Sequence, residues 1–150
     1  MRARLIRWFF AAAFGAGFVV HLVLGRTDPE SYGAFGETAW APLAWLWEAW
    51  VMPNIGWLTV LTALYELAIA AGLLAGGQLA RLAAAGASLF FVFLLFLGYG
   101  MPQPTLVGHF LANQLLTLAF LVAMAPVLWS RPRGRAHDPS APARVTGPMG

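Results

Sequence analysis

Four stretches of the chain are apolar almost without interruption, at residues 8–24, 55–76, 82–100 and 106–129. Each approaches the roughly 20 residues that a helix needs to cross a hydrocarbon core of about 30 Å. None carries the polar outer face that a helix of a soluble bundle turns to water. The pattern predicts an all-α fold, an integral-membrane four-helix bundle over residues 1–129. Arg2, Arg4 and Arg7 followed by Ala11–Ala13 also match the layout of a signal peptide. The apolar run continues through Leu24 into further membrane sequence, so an uncleaved first helix is the expectation.

The connection from Gly25 to Asn54 breaks the pattern. Asp28-Pro29-Glu30 reads as a helix start, with a capping side chain, proline at the first helical position and a carboxylate near the positive helix end. A second short helix is expected to begin near Pro42 and to stop before Pro53, whose missing N–H and ring disfavour continuation. Trp40, Trp45, Trp47 and Trp50 crowd into this piece with Glu48 as its one carboxylate. It is too short to span and too apolar for a solvated loop, so a Trp-rich interfacial helix between helices 1 and 2 is predicted. Two roles stay open for it, an anchor in the interface or a lid over a cavity between the helices.

Composition agrees with a membrane solvent: of 150 residues 60% are hydrophobic and 10% charged, against roughly one charged residue in four in soluble domains. The absence of cysteine excludes disulfide frameworks, thiolate metal sites and thiol nucleophiles. All nine basic residues are arginine, giving a formal net charge of +3. Arg2, Arg4, Arg7, Arg81, Arg131, Arg133, Arg135 and Arg144 fall on one side of four spans, and Arg26 alone falls on the other, beside Asp28, Glu30, Glu37 and Glu48. The positive-inside rule then places both termini in the cytoplasm and the long loop outside, as expected for a multi-pass protein of a bacterial inner membrane. The charge reflects topology, and no nucleic-acid partner is expected. Residues 130–150, rich in Pro, Arg, Gly and Ala, read as a disordered cytoplasmic tail.

Polar groups inside the spans are the candidate chemistry, because each costs free energy in hydrocarbon unless it is paired or hydrated. Glu66 lies near the middle of span two, with Thr59 and Thr62 on its face. With no arginine nearby on its own helix, and with neither His21 nor His109 expected within about 4–6 Å, it should be protonated at neutral pH. Ala68, Gly72 and Gly76 form a small-residue face on the same helix, suited to close helix packing or to a homo-oligomer contact. In span four Thr105, His109, Asn113 and Thr117 recur every four residues, with Gln114 beside them. By depth, His21, His109 and Tyr99 should form an upper layer over Glu66 and Asn113, around one polar cavity open to the outer face. The expected ligand-binding set is Glu66, His109, Asn113, His21, Tyr99, Gln114 and Thr62. Phe90, Phe91, Phe93 and Phe96 point in several directions and read as lipid-facing or packing surface.

Four chemistries stay open for such a cavity. His and Glu can hold the carbonyls of a quinone and relay protons. Two histidines can ligate a haem, though neither has a paired spacing or an evident supporting partner. A central carboxylate can couple proton flow to export, though the chain shows no internal repeat. The polar stripes can also simply bond helix to helix, as in a structural or assembly protein. No catalytic motif, nucleotide loop or metal motif is present, so no catalysis by the chain on its own is expected.

The run Tyr65-Glu66-Leu67 through Gly72-Leu73-Leu74, followed by Arg81-Leu82, resembles the second helix and turn of DoxX-like membrane proteins. Asp28-Pro29-Glu30-Ser31-Tyr32, Pro42, Trp47, Val51-Met52-Pro53 and Asn113 resemble a bacterial branch of that group, over about Leu5 to Trp129. The resemblance implies a small four-helix inner-membrane protein, an accessory subunit or quinone-type ligand binder beside membrane redox or respiratory partner proteins. The cysteines of some redox-active members of that group are missing here, which argues against thiol chemistry.

Overall fold

The structure, a computed structural model, describes residues 2–129. These residues are all-helical, with no strand among them. Helix α1 (Arg2–Thr27) leads through a 3-10 turn (Pro29–Tyr32) into α2 (Gly33–Thr38) and α3 (Ala41–Leu46). A π turn (Trp47–Val51) and a 3-10 turn (Met52–Asn54) then enter α4 (Ile55–Ala75), followed by α5 (Gly77–Leu97), α6 (Leu106–Asn113) and α7 (Leu115–Leu128). Three helices are long and apolar enough to cross a membrane, α1, the continuous run Ala41–Ala75 and α5; α6 with α7, bent by 43°, makes a fourth if counted as one span. That is the make-up of a multi-pass membrane protein. The tail, with Arg131, Arg133, Arg135 and Arg144, lies outside the described residues.

Glycines set how closely the long helices approach. A Cβ on Gly25 would collide with the Thr59 side chain, and one on Gly17 would come within 2.5 Å of Glu66 Oε1. These contacts run antiparallel, pairing the start of α4 with the end of α1. On α4 the buried positions Thr59, Ala63, Glu66, Ala70 and Leu73 recur at three- and four-residue steps and form one face. Phe10 and Phe14 of α1 join Leu73, Ala84, Ala87, Phe91, Met124 and Val127 in the main core, with Phe10, Phe91 and Phe120 in mutual ring contact.

Between α4 and α5 the chain reverses on Gly76, whose φ of 80° is left-handed and so favours glycine. α5 therefore begins at Gly77, earlier than the expected 82, and ends at Leu97, where Gly98 (φ 79°) turns the chain. Arg81, expected between two spans, lies inside α5. Arg7 Nε donates to Leu73 O at 2.9 Å and Arg81 Nε to Leu128 O at 3.2 Å. Both arginines thus satisfy carbonyls where α4 and α7 end, and both oppose the negative end of a helix dipole. This end of the molecule is called the turn end below, and the opposite one the loop end.

The small-residue face of α4 is largely occupied within the chain. A Cβ on Gly72 would lie 2.8 Å from Ala83 Cβ and 3.3 Å from Leu79 O, and one on Gly76 would lie 3.2 Å from the Arg7 guanidinium. Ala68 alone of the three is exposed.

Three local expectations are corrected. The Asp28 side chain makes no capping hydrogen bond; its carbonyl instead accepts from Ser31 N–H and Oγ–H. The helix begun at Ala41 does not stop before Pro53, because the π and 3-10 turns carry the chain past it with proline at the start of the 3-10 turn, where its missing N–H costs little. Span four is broken at Gln114 (φ −120°, ψ −32°), and Thr105 lies outside it as the N-cap of α6, accepting from Gly108 N–H at 3.0 Å.

Candidate ligand cavity

Toward the loop end the small residues between α4 and α5 give way to Leu58, Thr62, Phe90 and Phe93. A cavity of about 340 Å³ lies there, within the usual size range of small-molecule sites. Its walls are mostly apolar, and its polar groups converge from four parts of the chain: His21 of α1, Tyr32 of the connection, Thr59, Thr62 and Glu66 of α4, and Tyr99 of the segment after α5.

Glu66 is 5% exposed, and its Oε2 has no hydrogen-bond partner. Gly17 on α1 supplies the space for the carboxyl, since any side chain there would displace it. His21 comes closer than its position on α1 predicts: Nε2 lies 3.8 Å from Glu66 Oε2. The expectation of no histidine within reach of Glu66 is thereby corrected, because Gly17 and Gly25 draw α1 tightly onto α4. The separation still exceeds the hydrogen-bond range of about 2.7–3.2 Å.

The other imidazole nitrogen is held firmly. His21 Nδ1 and Tyr32 Oη are 2.7 Å apart, their rings stack at 5.6 Å, and the Tyr32 carbonyl accepts from Trp47 Nε1 at 2.9 Å. Burial, and secondarily the nearby Glu66 carboxyl, hold the Tyr32 phenol above its ordinary range. In the tautomer whose Nδ1 accepts from the phenol O–H, the imidazole proton lies on Nε2, facing Glu66.

Four members of the expected site, Glu66, His21, Thr62 and Tyr99, line this one cavity. His109 and Gln114 do not: they line a separate cavity of about 350 Å³ with Glu37, Thr38 and Trp40. The Gln114 amide is oriented with its nitrogen donating to His109 O at 3.0 Å and its oxygen toward the His109 ring. Asn113 lines neither cavity. It is fully buried, accepts from Tyr99 and Met101 N–H at 2.9 and 3.2 Å, and donates to Met101 O at 2.8 Å and His109 O at 3.2 Å. Thr117 Oγ1 donates to Tyr99 Oη at 2.8 Å. A stripe projected from Thr105 to Thr117 assumes one unbroken helix, and the break at Gln114 removes that assumption.

The residues missed by sequence reasoning are Tyr32 and Trp47, which come from the connection, and Thr38. Thr38 Oγ1 donates to Leu97 O at 3.1 Å and accepts from Gly100 N–H at 3.0 Å, latching the connection onto the end of α5. The tryptophans divide: Trp40, Trp45 and Trp50 are exposed, whereas Trp47 is buried over the cavity with Tyr32 and Leu97. Their clustering hinted at a lid, but nothing in the sequence distinguished the one that turns inward.

Among the described residues no three His, Cys, Asp or Glu side chains gather as metal ligands. His21 and His109 line different cavities and so do not fit as the two axial ligands of one haem. Neither a protein-family model, nor a curated protein, nor a solved structure matches the chain.

Proposed function

We propose that this chain is an inner-membrane protein that binds a small, largely apolar ligand of quinone type in the loop-end cavity, as an accessory subunit of a membrane redox or respiratory system. The observation that carries the reading is Glu66 Oε2, buried and without a hydrogen bond, opposite Nε2 of His21. A buried polar group left unpaired is costly, and a ligand oxygen about 2.8 Å from each atom would accept from Nε2–H and, with the carboxyl proton on Oε2, from Glu66 as well. Thr62 and Tyr99 offer further polar contacts, and the aromatic walls suit a ring.

In the same reading α6 and α7 act as one bent fourth span of a four-helix bundle, and the segment around Trp45 and Trp50 lies in the outer interface. Both termini are cytoplasmic, because the turn end carries Arg7 and Arg81. The DoxX-like resemblance belongs to this proposal and rests on the residues quoted for it. The rival, a purely structural protein, is favoured by the broken fourth span, where Asn113 and Thr117 are fully engaged with the chain itself. It leaves Glu66 without an explanation.

The test is a lipid extract and absorption spectrum of protein purified in native lipid. A stoichiometric quinone is expected. Glu66→Gln and His21→Ala should fold and lose it, and His109→Ala should retain it. A parent protein with no quinone, and with no saturable quenching of tryptophan fluorescence by added decylubiquinone, would overturn the reading.

A further inference from the structure

Access to the cavity is decided by which of its walls reach the surface. At the loop end Tyr32, Trp47 and Leu97 are each less than 9% exposed and pack together with Phe35, Val51 and Ile55. The backbone behind this cover is tied down as well, by Trp47 to the Tyr32 carbonyl and by Thr38 to Leu97 O. At the turn end the way is closed by the contact of Gly72 with Ala83. Of the residues that line the cavity, Trp50, 49% exposed, and Phe93, 40% exposed, are the two that lie open on the surface. The mouth is therefore lateral, and its rim is aromatic.

Its depth follows from α5, whose 21 residues measure about 31 Å at roughly 1.5 Å per residue, close to the thickness of a hydrocarbon core. Phe93 precedes the last residue of α5, Leu97, by four positions, about 6 Å along the axis. A rim at that depth faces acyl chains near the interface and not bulk water. The neighbouring exposed side chains, Trp57 and Leu61 on α4 and Leu89 and Phe96 on α5, are also apolar.

We infer that the cavity is loaded sideways from the bilayer leaflet at the loop end, between α4 and α5, past Trp50 and Phe93. This rests on the quinone-type reading of the cavity and adds the class and pose of the ligand. The ligand is a membrane-dissolved isoprenoid quinone whose ring oxygen reaches His21 and Glu66. Its tail remains in the portal and the lipid beyond. A water-soluble solute has no comparable route, because the cover of Tyr32 and Trp47 stands between the cavity and the aqueous side.

The absence of cysteine makes the portal testable one site at a time. Phe93→Cys is reconstituted in phosphatidylcholine vesicles, and association of decylubiquinone is followed by stopped-flow quenching of tryptophan fluorescence. Measurement before and after alkylation with a bulky maleimide makes the unmodified variant its own folding control. Alkylation should slow association and dissociation at least tenfold, with Kd changing less than threefold. Leu43→Ala, which loosens the cover from behind at a residue that does not line the cavity, should leave the association rate within threefold of the parent. An unchanged rate after alkylation, or acceleration by Leu43→Ala, would overturn lateral loading while leaving the bound quinone intact. Absence of saturable quenching in the parent would instead remove the quinone reading itself.

Discussion

Replacing Asn113 separates a structural from a ligand-binding role at the break between α6 and α7. Its amide oxygen is the acceptor for the N–H groups of Tyr99 and Met101, and its amide nitrogen serves Met101 O and His109 O, all at a fully buried position. Asn113→Ala leaves two backbone donors without an acceptor, and at about 1–3 kcal/mol each the loss comes to about 2–6 kcal/mol. A vacated volume adds to that figure, so Asn113→Leu is the more telling variant. It fills the space, cannot accept a hydrogen bond, and should still cost at least about 2 kcal/mol. Asn113→Asp keeps an acceptor for both N–H groups and should recover part of the loss. Unfolding by increasing SDS fraction in mixed micelles, followed by circular dichroism, measures each difference. Because Asn113 lines neither cavity, the proposed quinone binding should survive in the folded fraction of each variant. A Leu variant within about 1 kcal/mol of the parent would refute the hydrogen-bond account. A stable variant that loses ligand would return Asn113 to the binding site.

Gly72→Leu forces α4 away from Ala83 and the Leu79 carbonyl and should destabilise by more than the usual 1–3 kcal/mol of overpacking, whereas exposed Ala68→Leu should be neutral. A change in oligomeric state without a change in stability would show instead that the Gly72 face joins two chains. The Tyr32 phenol, raised by burial, binds its proton more tightly folded than unfolded, so its contribution is complete below the ordinary value of 10.0 and is lost as pH rises through the folded value. An alkaline titration read as tyrosinate absorbance should lose one of its transitions above pH 10 in Tyr32→Phe; a normal transition for that residue would contradict its burial. Reporter fusions after Gly77 and after Trp129 should both report the cytoplasm, and an external signal at either position would break the topology.

Run length and polarity were sufficient to read the helical, multi-pass make-up from the sequence, because hydrocarbon penalises every backbone group not bonded within its own helix. The starts of α4 at Ile55 and α6 at Leu106 were legible for the same reason, each lying where an apolar run begins. Glu66 was legible as the anomaly of its helix, since a carboxyl among apolar residues needs no structure to be noticed. Its neighbours were not legible. Whether His21 reaches Glu66 depends on how closely two helices approach, and only the packing of Gly17 and Gly25 against α4 decided that. The roles of Tyr32 and Trp47 depend on how an irregular connection folds back, which no periodicity encodes. The α6–α7 pair shows the same limit in reverse. Its four-residue stripe was real in the sequence, but the break at Gln114 sent His109 to one cavity and Asn113 into the helix break, because a face persists along a helix only while the helix does.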